Sequence, residues 1–195
     1  MQYEDYLKWL SEESFMTLEI TFRCPLQCPL CTRQTKVGKR QTKLFRDMPL
    51  EDFEKILKFS KNINLCGDMS DPIYHPKFHD LVDMFNKRRK GRLLISTNGS
   101  YKSLEWWEKS FSFDYGGINW IFGQDGIDQE TSNKYRVNTQ FDKVFEVMKM
   151  GRLMGANIVW QFIEFPHNKH QIPEYYNLCK TYGFVPFLRP NRMKF

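Results

Sequence analysis

From end to end the chain alternates between short runs that read as β-strands and stripes that read as amphipathic helices, and few folds accept that order. The first run, Thr17 to Phe22, sets Leu18, Ile20 and Phe22 on one face and Thr17, Glu19 and Thr21 on the other. Further strands are expected near Asn62 to Cys66, Arg92 to Thr97, Gly117 to Gly123, Asn157 to Phe165 and Phe184 to Leu188. Between them, apolar residues recur at i, i+3, i+4 and i+7: Phe78, Leu81, Val82 and Phe85; then Phe141, Val144, Phe145 and Met148; then Ile172, Tyr175, Tyr176 and Cys179. Phe53, Ile56 and Leu57 make a shorter stripe, and Ser103 to Lys109, with Trp106 and Trp107, a fifth helix. Such alternation implies parallel βαβ units with right-handed crossovers. Six strands and five helices are too few for a closed eight-stranded barrel, which leaves an open, partial barrel or a doubly wound sheet. We expect one domain over residues 1–195, with 1–14 as an N-terminal extension.

At 195 residues the chain can bury a sizeable core. Its aromatic content of 16% argues against disorder. No stretch approaches 18 consecutive apolar residues, so no membrane association is expected. The first ten residues lack the basic start and apolar run of a signal peptide, so the expected location is the cytoplasm. The net charge of +6 is partly local: Arg33, Lys36, Lys39, Arg40, Lys43 and Arg46 share a stretch without an acidic residue. That stretch reads as a solvated loop able to attract an anionic partner. Only Phe45 interleaves with the charges, so nucleic acid is not expected as a partner.

Three of the five cysteines, Cys24, Cys28 and Cys31, fall within eight residues with the spacing C-x3-C-x2-C, in the loop after the first strand. Clustered thiols in a cytosolic chain point to metal or catalysis rather than to a disulfide scaffold. Thiolates favour iron–sulfur clusters, zinc and Cu(I). A cubane cluster normally takes four cysteines. Cys66 reads as part of the second strand and Cys179 as part of a helical stripe, so neither is placed as the fourth. Three ligands leave one metal position open. Structural zinc would need a fourth ligand, and none of His75, His79, His167 and His170 has zinc-finger spacing. In parallel α/β folds, functional groups gather beyond the C-terminal ends of the strands. Cys24, the segment Gly67 to Pro72, Thr97-Asn98-Gly99 and Gln124-Asp125-Gly126 all fall on that rim.

With these motifs in place, the chain resembles the radical S-adenosylmethionine (radical SAM) superfamily over most of its length. The resemblance implies a partial (β/α)6 TIM-like barrel with a parallel sheet and a missing or truncated sixth helix. It also implies a [4Fe–4S] cluster on Cys24, Cys28 and Cys31, with S-adenosylmethionine on the open iron. Cleavage of the sulfonium by an electron from the cluster would yield a 5′-deoxyadenosyl radical that abstracts hydrogen from a substrate. Gly67, Asp68, Ser70 and Asp71 resemble the family's glycine-rich motif that holds the SAM amino group, with Met69 and Ser70 in place of the usual paired glycines. Asn98 resembles the end of strand three near the SAM carboxylate or ribose. Gly123-Gln124-Asp125-Gly126 resembles a Ser-x-Asp-Gly motif; its serine contact is lost here or supplied by Gln124. Tyr135-Arg136 matches a pair whose arginine approaches the SAM carboxylate, a role suited to a bidentate guanidinium. Leu30 stands where many members place an aromatic near adenine, and Gln161 and Phe162 are expected on the adenine or substrate side. His167-Asn168 and Gln171 resemble a later segment of peptide-modifying members and receive no role. No residue is singled out as catalytic acid, base or radical relay.

Polar residues on the expected inner face, Glu19, Thr21, Asn64, Asn119 and Gln161, suit a polar substrate. The chain reads as a minimal core without a C-terminal extension for auxiliary clusters. The expected function is hydrogen abstraction from a substrate, possible classes being peptide and protein, with a flavodoxin or ferredoxin as reductant. The alternatives are a glycyl-radical-enzyme activase of the same superfamily and, from another class, a zinc-containing nucleic-acid or protein interaction module.

Overall fold

The computed structural model describes residues 14–67, 69–88, 90–113 and 116–190. Within them six strands form one sheet: β1 (Met16–Leu18), β2 (Ile63–Leu65), β3 (Leu93–Thr97), β4 (Ile118–Gly123), β5 (Asn157–Glu164) and β6 (Val185–Pro190). Between them run α1 (Lys36–Leu44), α2 (Leu50–Phe59), α3 (Phe78–Lys87), α4 (Leu104–Ser112), α5 (Gln129–Tyr135), α6 (Phe141–Leu153) and α7 (Ile172–Tyr182). Every neighbouring pair of strands is parallel, and the sheet order is the chain order, β1 to β6.

That order decides between the two architectures left open by the sequence. A doubly wound sheet reverses its strand order at a switch point, and this sheet has no reversal. Crossovers of one hand then place the helices that pack on the sheet on one face and leave the other as a lumen, as in part of a (β/α) barrel. The side chains bear this out. Ile63, Leu65, Leu93, Ile95, Trp120, Phe122, Ile158, Trp160 and Phe162 pack with Phe53, Leu81, Trp107, Val144 and Tyr175 of the helices. A second, smaller cluster of Leu94, Ile121, Val159 and Val185 contains no helical residue; Phe15 and Phe187 pack against it. This cluster plugs the lumen, with Ile121, Val159 and Val185 side by side in register.

Toward the N-terminal ends of the strands the lumen is polar. Thr17, Asn64, Leu94, Asn119 and Asn157 stand in one cross-strand row. Asn64 Nδ2 donates to Thr17 Oγ1 at 3.2 Å, and Asn157 Nδ2 donates to Asn119 Oδ1. Thr21 departs from the expected inner row: its hydroxyl donates to Asp47 Oδ1 at 2.6 Å.

Three elements differ from the sequence reading. β1 is shorter than Thr17 to Phe22 because its partner β2 ends at Leu65, opposite Leu18, and a strand without a ladder partner stops. Residues 19–23 are held instead by loop contacts: Met48 N donates to Ile20 O at 2.8 Å, and Asp71 N to Arg23 O at 3.0 Å. Cys24 therefore lies six residues beyond the strand rather than directly after it. The basic stretch is a helix, α1, capped by Thr35 Oγ1, which accepts from Gly38 N at 3.0 Å; with Val37 and Leu44 exposed it lacks the apolar stripe that identifies a helix in sequence. α5 is too short to show a period, and its start is marked only by the Asp128 cap on Thr131 N at 2.7 Å. The position after β6, where a sixth barrel helix is expected to be missing or truncated, and the N-terminal extension lie outside the described residues, apart from Ser14.

Trp160 is fully buried between α6 and α7, and its truncation to alanine is expected to cost about 3–5 kcal/mol in urea unfolding. His79 stacks on Trp106 with ring centroids 4.6 Å apart, and its Nε2 meets Ser110 Oγ at 2.8 Å. Burial pushes its pKa down to about 4. Between the ordinary histidine value and 4 the unfolded chain takes up a proton that the fold excludes, so this contribution to stability is lost as pH falls. His79→Phe is expected to flatten the fall of the urea midpoint over that acid range relative to the wild type.

Candidate active site

A cavity of about 320 Å³ opens at the C-terminal rim of the sheet, within the range of small-molecule sites. All three clustered cysteines line it, together with Gly67, Ser70 and Asp71 after β2, Asn98 after β3, Gly123 at the end of β4, and Arg136 after α5. Leu30 and Tyr135 line it as well. Four loops far apart in sequence are thus brought to one place. Asp68 lies outside the described residues.

The loops are tied together by a buried carboxylate. Asp71 Oδ2 accepts from Thr97 Oγ1 at 3.0 Å, from Asn98 N at 2.6 Å and from Asn98 Nδ2, while Oδ1 accepts from Ile73 N at 3.2 Å. Burial pushes the Asp71 carboxyl up to about 6, against the pull of these donors. Asn98 Nδ2 also reaches Cys24 Sγ at 3.8 Å, so the same amide joins the β3 end to the cysteine loop. Asp71 therefore acts on the cavity through Asn98. Glu19, on β1's extension, braces the glycine loop by accepting from Met69 N at 3.0 Å. Arg33 joins that loop to the cysteines, donating to Phe22 O and, at 3.2 Å, to Met69 O. In the sequence Arg33 passes for one charge in a basic run; only its position two residues after Cys31 hints at this task.

Arg136 Nε pairs with Asp125 Oδ2 at 2.7 Å, the carboxylate having no exposed surface. Burial raises the Asp125 carboxyl even beside this guanidinium. Asp125 Oδ1 in turn accepts from Ile163 N at 2.7 Å. The guanidinium lies over Gly123, where a Cβ would stand 2.5 Å from Nη2. The lack of a side chain at Gly123 is thus what admits Arg136 into the wall.

Two expected contacts lie elsewhere. Gln124 does not line the cavity: it is fully buried, with Nε2 donating to Asn98 O at 2.7 Å and Oε1 accepting from Thr139 Oγ1 at 3.1 Å. Phe162 faces the helices and packs on Tyr175, because β5 alternates and it is Gln161 and Ile163 that face the lumen. Cys66, Ser96 and Arg189 line the cavity without having been singled out for it; Cys66 stands just past β2 rather than within it. Asn168, assigned no role from sequence, braces the loop after β4: its Nδ2 donates to Asp125 O and to Ile163 O, each at 2.9 Å.

The donor set fits an iron–sulfur cluster. The three thiols are half-buried and free of disulfides, and they line one wall. Burial pushes Cys24 up to about 12, and Cys28 is raised for the same reason; metal binding to a thiol displaces its proton. Among the described residues no group of three or more His, Cys, Asp or Glu side chains is placed to hold a single metal ion.

Arg136→Met strands the buried Asp125 carboxylate and is expected to cost about 3–5 kcal/mol in urea unfolding at neutral pH. The cost shrinks as pH is lowered, because the orphaned carboxyl then takes up a proton on folding.

Residues 18–178 match the family model described as the radical SAM superfamily. Over 89 residues the chain is 36% identical to the tungsten-containing aldehyde ferredoxin oxidoreductase cofactor-modifying protein of Pyrococcus furiosus, covering 44% of this chain and 24% of that protein. Its fold is similar to that of Streptococcus suis SuiB bound to the precursor peptide SuiA, with a TM-score of 0.73, 16% identity, and coverage of 96% of this chain and 43% of that one. It is also similar to anSMEcpe with bound AdoMet, with a TM-score of 0.68, 16% identity, and coverage of 89% and 50%. The chain thus spans about a quarter of the length of that curated relative and half or less of these two structures. No helix among the described residues is long and apolar enough to cross a membrane. With the family model covering most of the chain and the cysteines, the glycine loop and Arg136 gathered at one rim, this protein belongs to the radical SAM superfamily of enzymes.

Proposed function

We propose that this chain cleaves S-adenosylmethionine reductively at a [4Fe–4S] cluster held by Cys24, Cys28 and Cys31, and takes a hydrogen atom from a peptide or protein substrate. The observation that carries the reading is the convergence of those three thiols with Asn98 and Arg136 on one cavity. Bound there, the cluster and S-adenosylmethionine supply the radical chemistry. The protein supplies position. Arg136 presents a guanidinium suited to a carboxylate, held in place by Asp125. Gly67 and Ser70 offer backbone and hydroxyl groups to an amino group, and Leu30 an apolar contact to a base. Asn98, fixed by Asp71, supports the Cys24 side of the site. The apolar plug of Leu94, Ile121, Val159 and Val185 closes the lumen below and limits access of water. The peptide reading is supported by the likeness to SuiB solved with its precursor peptide and by the polar Gln161 and Arg189 at the lumen side of the cavity.

Anaerobic reconstitution followed by EPR tests the reading. The reduced protein is expected to show a [4Fe–4S]+ signal that shifts on addition of S-adenosylmethionine, and 5′-deoxyadenosine is expected to accumulate. Alanine at Cys24, Cys28 or Cys31 is expected to abolish the signal, whereas Cys66→Ala retains it. Stoichiometric zinc without a cluster would defeat the proposal. Removing the amide beside Cys24 Sγ, in Asn98→Ala, is expected to lower the reduction potential on the order of tens of millivolts, read by EPR-monitored redox titration, because donors to the sulfurs stabilise the reduced state.

A further inference from the structure

We propose that helix α1 and the groove beneath it dock a small acidic one-electron carrier protein, which delivers its electron to the cluster through the Cys24 loop. The proposal rests on the reductive reading above. A second cavity, of about 350 Å³, lies against the cysteine loop, and Arg33, Lys39, Thr42 and Lys43 are among its lining residues. Cys24 and Leu26 line this groove and the site cavity alike, so the loop is the wall between them. An electron arriving in the groove meets a cluster ligand without crossing the barrel.

The groove is flanked by a concentrated positive charge. Lys36, Lys39, Arg40, Lys43 and Arg46 are exposed, no acidic residue occurs from 32 to 46, and no ion pair among the described residues engages these five cations. Val37, Leu44 and Phe45 stand among them, each more than half exposed. Mixed charge and apolar surface of this size suits a brief, electrostatically steered encounter. The helix is also fixed to the loop it would serve. Gly38 lies so close to the turn after Cys31 that a Cβ would stand 2.0 Å from Thr32 O. Phe45 stacks on Phe22, two residues before Cys24, with centroids 4.6 Å apart. A partner seated on α1 is therefore held in register with the cluster loop. In the transfer the carrier is oxidised by one electron and the cluster reduced by one; no bond forms or breaks.

The test follows cluster reduction in the reconstituted chain by stopped flow, with reduced flavodoxin as donor and dithionite in parallel. Lys39→Glu with Lys43→Glu is expected to lower the second-order rate constant for flavodoxin at least tenfold at low ionic strength. The Lys39→Gln, Lys43→Gln form should fall less, and added salt should slow the wild type. Dithionite should reduce all three forms equally. Equal rates with flavodoxin in the wild type and the reversed variant would overturn the docking surface. So would unchanged flavodoxin rates accompanied by RNA binding that the reversal abolishes, which would give the helix to nucleic acid. Failure of dithionite to produce a reduced cluster in the wild type would strike the reductive reading itself.

Discussion

Parallel pairing in strict chain order is the constraint on which the rest of this molecule depends. Each strand must be followed by a return over the sheet, and returns of one hand stack the crossover helices that cover the sheet on the same face. The opposite face then becomes a lumen, and every loop leaving a strand arrives at the same rim. The cysteine loop, the glycine loop and the ends of β3 and β4 meet there because the topology gives them nowhere else to go. The short ladder between β1 and β2 adds a second consequence: beyond Leu18 and Leu65 both chains leave the sheet, which frees the segments before Cys24 and around Gly67 to wrap the cavity.

Loops so released need other anchors, and the structure supplies buried polar ones. Asp71 gathers donors from the end of β3 and from its own turn, and the same Asn98 amide that it holds reaches Cys24. Asp125 fixes Arg136 on one side and β5 on the other. Both carboxyls are raised by burial, the cost of holding charge in a dry place. Such groups persist where position matters more than stability, and here they position the wall around the thiols. The pairing of Gly123 with Arg136 belongs to the same pattern. The space a side chain at Gly123 would take is filled by the guanidinium.

The face behind the cysteines has a different character. Inside, Arg136 is paired with Asp125. Outside, α1 carries cations that no ion pair among the described residues engages, and exposed apolar side chains, on a helix set against the same loop. The Cys24 loop separates these two environments, with Cys24 and Leu26 lining both cavities.

The amino-acid sequence by itself determined the class of fold, the six strands, the grouping of the cysteines and most of the rim. These are local signals: period-2 and period-3.6 patterns, and a motif whose cysteines lie within eight residues. Whether the sheet was singly or doubly wound, it could not say, since strand order is a property of pairing between distant segments. Nor could it tell the lumen face of β5 from the helix face, which is why Phe162 was expected in the site while its neighbours Gln161 and Ile163 line it. Gln124 was misplaced for a related reason: a polar residue beside a motif reads as a ligand contact until its buried partners, Asn98 O and Thr139 Oγ1, are seen. Helix α1 escaped notice because its stability comes from a cap and from contact with the cysteine loop rather than from an apolar stripe. Tertiary structure alone decided these points, because each depends on which remote atoms satisfy a buried polar group or cover an apolar one.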